Sequence, residues 1–221
     1  MRPVTMLLLV STAAAAHDMT SAVTWSREIS RLVNRHCAAC HQDGGKAFPL
    51  TTFQQAHNRA AAISKTVLAR RMPPFGAVKG FGDLKDDSSL TQEQIELFVK
   101  WVQAGAMEGD AALGAKQAPP PVQEPVAATG VGWPVNGTRT LDKPMTFAGI
   151  TGAGLPPGAS VRVVAQKPDG SVAPLIWFYG YDPTFARSWI FRKPLALPAG
   201  TKIVSSVREG VTFSLVTVAG H

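Results

Sequence analysis

No histidine stands between His57 and His221, and the 221-residue chain has only two cysteines, both inside one five-residue string. Each scarcity excludes something. Two cysteines three positions apart cannot form a disulfide framework, because a bridge across so short a loop removes little chain entropy. The stretch from 58 to 220 lacks imidazole, the ligand on which most copper and zinc sites depend. From residue 130 onward the carboxylates are few as well, namely Asp142, Asp169, Asp182 and Glu209, spread over predicted turns and strand ends. Long apolar runs are missing too. A membrane-spanning helix needs roughly 20 such residues, and none exists beyond the N-terminal segment. Charged residues make up 17% and hydrophobic ones 45%, which fits a globular chain and excludes wholesale disorder.

What is present begins with a leader pattern. Arg2 supplies a positive start, Met6-Leu7-Leu8-Leu9-Val10 a short apolar core, and Ala13 to Ala16 the small residues that a signal peptidase requires. Residues 1–16 are therefore expected to be a secretory signal, cleaved after Ala16. The expected location is the periplasm, with a membrane anchor made by an uncleaved signal as the lesser alternative. The net charge is +7, placed unevenly: 11 basic against 10 acidic residues over 17–112, and 10 against 5 over 113–221. The basic residues are scattered and no nucleic-acid motif accompanies them, so a solvated basic surface is the preferred reading and no nucleic-acid partner is expected.

The pattern of residues changes once along the chain. Over 25–33, Ile29, Leu32 and Val33 share a helical face, and over 53–70 Ala56, Ala60, Ile63 and Val67 do the same. Thr91 to Gln94 has the form of a capping box, Ile95, Phe98, Val99 and Val102 follow as an apolar face, and Gly105 can end that helix. A Pro-rich linker, 113–130, contains Pro119-Pro120-Pro121 and Pro125. Beyond it the period becomes two. Residues 160–166 alternate, Pro168-Asp169-Gly170 makes a turn, and 172–179 is apolar and aromatic, which is a hairpin signal. Residues 138–147, 202–207 and 211–218 are further candidate strands. The expected fold class is α + β in separate domains: an all-α unit over 22–112 and a small antiparallel β-sandwich over 131–221.

Chemistry concentrates in Cys37-Ala38-Ala39-Cys40-His41. Thiols one helical turn apart can add to the two vinyl groups on one edge of haem, and the adjacent imidazole then lies beneath the iron. The Cys-x-x-Cys-His string is the signature of c-type haem attachment, and an export signal supports it, since that attachment happens outside the cytoplasm. The expected cofactor is one covalent haem c, with His41 as an axial iron ligand. Two rivals stay open. A thioredoxin-like dithiol would follow a strand, whereas a helix precedes this one. A zinc site would need a fourth ligand, for which His36 and His57 are the nearby candidates. For the second axial position Met72, in Arg70-Arg71-Met72-Pro73-Pro74-Phe75, offers a soft thioether on a loop stiffened by two prolines. His57, inside a predicted helix, is its rival, and Met107 is expected to pack. The Pro49 carbonyl is a candidate partner for the ring N–H of His41. Phe48, Leu50, Phe53, Ile63, Val67, Leu68 and Phe98 are candidates for the haem lining or for ordinary core. Arg70 and Arg71 either pair with propionates or form a solvated helix end.

The segment 25–110 resembles a class I-like c-type cytochrome module. Three strings carry the likeness: Cys37 to His41, Arg70 to Phe75, and Trp101-Val102-Gln103-Ala104-Gly105-Ala106. The resemblance implies a cytochrome c fold for this part and Met72 as the distal ligand. The later segment is similar to the C-terminal β-sandwich of copper type II, ascorbate-dependent monooxygenase-like proteins, through residues 162–170, Tyr181-Asp182-Pro183-Thr184-Phe185 and 194–201. It departs from that family at the metal site: Thr151-Gly152-Ala153-Gly154 stands where a His-x-His string would be expected. No copper is therefore predicted.

These readings converge on an exported mono-haem cytochrome that carries single electrons, with no catalysis of its own. Its expected partner is a redox protein or a membrane respiratory complex. The alternatives are a haem-containing subunit or sensor with an open sixth site, and a monooxygenase-like enzyme whose copper site has degenerated.

Overall fold

The computed structural model describes residues 22–85, 87–116, 121, 130–206 and 211–218. The predicted signal 1–16, most of the linker 113–130, and His17 and His221 lie outside them. Among the described residues no helix is long and apolar enough to cross a membrane.

The N-terminal part is a set of short helices. Thr24 caps a π-helical turn, Trp25–Ile29, by accepting from the Arg27 amide, and this turn runs into α1, Ser30–His36. The helix expected over 53–70 is cut in two. α2 is Phe53–His57 and α3 is Ala60–Leu68. The break falls at Asn58, a residue whose side chain competes for local partners and here accepts from Gln54 at 2.7 Å. α4, Gln92–Gln103, carries the predicted capping box between Thr91 and Gln94. It ends as Gly105 predicts: the Gly105 amide donates to Val102 and the Ala106 amide to Trp101, with Gly105 at φ 85, the Schellman arrangement. Trp25, Ile29, Val33, Ile63, Phe98 and Trp101 are buried together here. The Met107 carbonyl accepts from both the Trp25 amide and the Trp101 indole N–H, pinning the π turn to the end of α4. Its side chain does not pack as expected but is 46% exposed.

Among the described residues eight strands follow, in two four-stranded antiparallel sheets. They are β1 Gly132–Asn136, β2 Thr138–Thr140, β3 Met145–Thr151, β4 Val161–Gln166, β5 Val172–Phe178, β6 Ser188–Leu197, β7 Lys202–Ser205 and β8 Thr212–Thr217. One sheet has the order β1-β8-β3-β6 and the other β2-β7-β4-β5. The predicted hairpin is β4–β5, closed by Lys167 and Ser171 with Gly170 at φ 83. The strand expected over 138–147 divides between β2 and β3. β1 and β6 escape sequence reading because Pro134 interrupts one and Arg192-Lys193-Pro194 the other. Both are edge strands, where a missing N–H breaks no ladder. Pro174 on β5, a third edge strand, sits beside a bulge in β5 itself, where Leu175 is the extra residue opposite Val163 and Val164.

The segment between α3 and α4 belongs to the sandwich. Its chain pairs with β5 through Val78 N–H to the Trp177 carbonyl and Tyr179 N–H to the Gly76 carbonyl. It then pairs with β6 through Lys85 N–H to Ile190 and Arg192 N–H to Asp83. Phe75, Ala77 and Leu84 are buried in the sandwich core with Phe178, Trp189 and Phe191. Because β5 and β6 are edges of different sheets, this strap crosses the open flank between them and covers backbone groups that would otherwise lie unpaired.

The expected fold class must therefore be corrected. The described chain is not an N-terminal all-α cytochrome c fold beside a separate sandwich. It is mostly β, two antiparallel sheets with a few short helices, the longest of 12 residues. The apolar periodicity over 53–70 does not register the break at Asn58, and the segment 73–85, which reads as a loop within an all-α unit, is used to close the sandwich flank.

Candidate functional site

α1 delivers the Cys-x-x-Cys-His string as its own continuation. Cys37 caps the helix, its amide donating to Val33 at 2.9 Å. The Cys37 carbonyl then accepts from the amides of Cys40, at 3.1 Å, and His41, at 2.9 Å. The two thiols thus stand one turn apart on a turn that stays hydrogen-bonded, and both cysteines are free and half-buried. Burial pushes the Cys37 thiol up to about 12, with the neighbouring Cys40 adding to the effect. A thioredoxin-type nucleophile needs its thiol pKa lowered, so Cys37 is poorly suited to the dithiol reading.

A tight loop orients His41. The Gly45 amide donates to Gln42, the Ala47 amide to the Cys40 carbonyl, and the Leu50 amide to the His41 carbonyl. A Cβ at Gly45 would fall onto the Cys40 carbonyl oxygen, so only glycine lets the loop close this way. Sequence reasoning passed over Gly45, although the Gly44-Gly45 pair just after the motif was a visible signal. Closure brings the Phe48 carbonyl to 2.8 Å from His41 Nδ1. A carbonyl only accepts, so Nδ1 carries the proton and Nε2 keeps its lone pair for a metal. The expected carbonyl was that of Pro49, and the observed one is a residue earlier. The Phe48 ring lies edge-on to the imidazole at 4.8 Å and carries the Arg59 guanidinium at 4.0 Å.

The other two histidines among the described residues are structural tethers. His36 Nδ1–H donates to the Ser88 carbonyl at 3.0 Å, and its Nε2 faces the Gln94 amide nitrogen at 3.4 Å. Burial lowers its pKa, and the Ser88 bond opposes that shift. His57 is exposed, and its Nδ1–H donates to the Ala106 carbonyl at 3.0 Å, tying α2 to the end of α4, with its ring against Phe53. Among the described residues no three His, Cys, Asp or Glu side chains come together as a metal cluster requires, which counts against zinc at this string. Haem asks for a different donor set, two thiols for the porphyrin edge and one imidazole for the iron. Cys37, Cys40 and His41 fit that demand.

Met72 lies four residues beyond Leu68, the end of α3. That helix closes with Arg70 in the left-handed region at φ 53, its amide donating to Val67 and the Arg71 amide to Thr66. Arg70 donates to the Gln92 side chain at 2.7 Å, which gives it a structural employment apart from any propionate. Met72 is half-buried and lines a shallow depression with Val67, Leu90, Ile95 and Tyr179. Of the proposed lining residues, Leu50, Ile63, Val67 and Phe98 are core and Phe53 packs against it. Phe48 and Leu68 remain 46% and 61% exposed, apolar surface that packing within the chain leaves uncovered. In the sandwich, Phe178, Tyr181 and Trp189 are core, whereas Tyr179 is exposed.

Comparison with protein-family models, with curated proteins and with solved structures gave no match to this chain.

Proposed function

We propose that the protein is an exported mono-haem c-type cytochrome that passes single electrons between a donor and an acceptor. One observation carries the reading: a hydrogen-bonded turn presents two free thiols and, next to them, an imidazole whose Nδ1–H is committed to the Phe48 carbonyl. Cys37 and Cys40 would hold the haem through thioethers, and His41 Nε2 would ligate its iron. The bound haem supplies a one-electron couple whose potential depends on its axial ligands and surroundings.

The chain's own residues do the rest. The Phe48 carbonyl fixes the tautomer and tilt of His41, a device that raises ligand basicity. Met72 would occupy the sixth position with a thioether, which favours the reduced iron relative to a second imidazole. Two protein ligands would leave no site for a substrate, which suits a carrier more than an enzyme. Phe48 and Leu68 offer apolar surface to the macrocycle. The proposal rests on the attachment string and the axial ligands and needs no all-α fold.

The test is extraction. Mature protein made with the haem-ligation machinery should keep its colour through acid-acetone, because thioethers survive that treatment. Cys37→Ser with Cys40→Ser should lose all covalent haem. A colourless wild-type pellet overturns the proposal.

A further inference from the structure

Met72 is fixed from both sides by unlike elements. Upstream stands the end of α3, turned by Arg70. Downstream, three residues on, Phe75 is buried in the sandwich core, and its carbonyl accepts the Trp189 indole N–H at 2.8 Å in a buried bond. The next residue, Gly76, has φ 70, and a Cβ there would approach Trp189 Cζ2 at 3.3 Å. Backbone bonds to β5 and β6 then fasten the chain from 76 to 85 along the sandwich flank. Gly82, at φ 92, passes so close to the Leu175 carbonyl that a Cβ would collide with it. Past the closing turn at Arg70, which is still hydrogen-bonded to α3, only Arg71 to Pro74 separate the helix from the core anchor, with two prolines among them, too short and stiff a stretch to let Met72 move independently.

We infer that the β-sandwich is the positioning element for Met72, with Trp189 acting through Phe75 as the residue that holds the thioether at the sixth site. The inference rests on the reading of Met72 as an iron ligand. On this view the sandwich needs no chemistry of its own. It is an anchorage, and a partner that loosened the Trp189–Phe75 contact would open the iron.

The test uses the full mature haem-bearing chain. Trp189→Phe keeps a buried ring, deletes the indole donor and trims the ring, the last effect being the one for which a core control accounts. Should that variant fail to accumulate, Trp189→Leu, which likewise lacks the indole donor, takes its place and is read by the same two quantities. Ile203→Ala in β7, fully buried in the same core but away from the strap, is the control for general destabilisation. Two quantities are read: the ferric near-infrared Met–iron band and the affinity for cyanide. Trp189→Phe should weaken the band and tighten cyanide binding about tenfold, the change expected from losing one hydrogen bond worth ~1.4 kcal/mol. Ile203→Ala should change neither. An unchanged Trp189→Phe, or an equal response in Ile203→Ala, overturns the inference while leaving Met72 as ligand. If the wild type shows no such band and Met72→Ala leaves cyanide binding as it was, the ligand reading itself falls and takes the inference with it.

Discussion

The helical side of the molecule and the sandwich divide chemistry and stability unequally. Every residue of the candidate site except the anchor of Met72 lies on the helical side, yet among the largest fully buried side chains only Trp101, Phe98 and Ile29 belong there. The sandwich contributes Trp189, Phe147, Phe178, Phe213 and more, and recruits Phe75 from the strap. The helical side also leaves Phe48, Leu68 and Met107 exposed. A small helical layer with uncovered apolar side chains buries too little surface to be strongly stable by itself. A covalent haem and a docked sandwich would each supply what it lacks. The difference teaches that the part with legible chemistry depends on the part without it.

The largest effect should come from the sandwich core. Phe178 is fully buried, packs edge-to-face on Trp189 at 5.0 Å, and bridges to Ala77 of the strap. Phe178→Ala should cost about 3–5 kcal/mol through the cavity it leaves, read as a lower denaturant midpoint. Because the strap is fastened there, the helical side should unfold in the same transition. Two separate transitions, with the helical side unaffected, would break the comparison and make the two parts independent.

What could be read from the sequence divides along the same line. Cys37, Cys40 and His41 stand out in the sequence because the proposed haem attachment would need those residue types at adjacent positions, a requirement visible in the linear chain. The Thr91–Gln94 capping box and the β4–β5 hairpin were legible for the same reason, since each is local. The fold class was not. Helical periodicity over 53–70 says nothing of the stop at Asn58, and a Gly- and Asp-rich stretch reads as a loop whether or not it is paired to sheets a hundred residues away. β6, the longest strand, was hidden by Arg192, Lys193 and Pro194, which an edge strand tolerates. The carbonyl that orients His41 was missed by one residue, because loop closure around Gly45 decides it and side-chain pattern does not.

A subtler probe lies where the helical side meets the strap. His36 sits neutral between the Ser88 carbonyl and Gln94, and burial holds its pKa below the ordinary 6.5. The unfolded chain therefore takes up a proton at a higher pH than the folded chain does. The stability His36 contributes is complete above pH about 6.5 and is lost as pH falls from there through the lowered folded value. Denaturation midpoints should fall between pH 7.5 and pH 5.5, and His36→Gln should flatten that slope. A wild-type midpoint that rises on acidification would show His36 to be better held when charged, and would reverse the role assigned to this tether.

The smallest effect should belong to the most conspicuous contact between strap and sheet. Arg192 Nε lies 3.0 Å from Asp83 Oδ1, and Arg192 also donates to the Leu84 carbonyl at 3.2 Å. Both side chains are largely exposed, 60% and 73%. Exposed pairs of this kind are worth roughly 0.2–1 kcal/mol and are screened by salt. The strap is fastened instead by backbone bonds, Lys85 to Ile190 and Arg192 to Asp83, and by Leu84 buried in the core. Asp83→Asn should therefore lower stability by less than about 1 kcal/mol in dilute buffer, lose even that in high salt, and leave the spectrum of the sixth ligand unchanged. A larger, salt-sensitive loss accompanied by a weakened Met–iron band would mean that the ion pair, not the backbone and the Trp189–Phe75 contact, holds the strap in place.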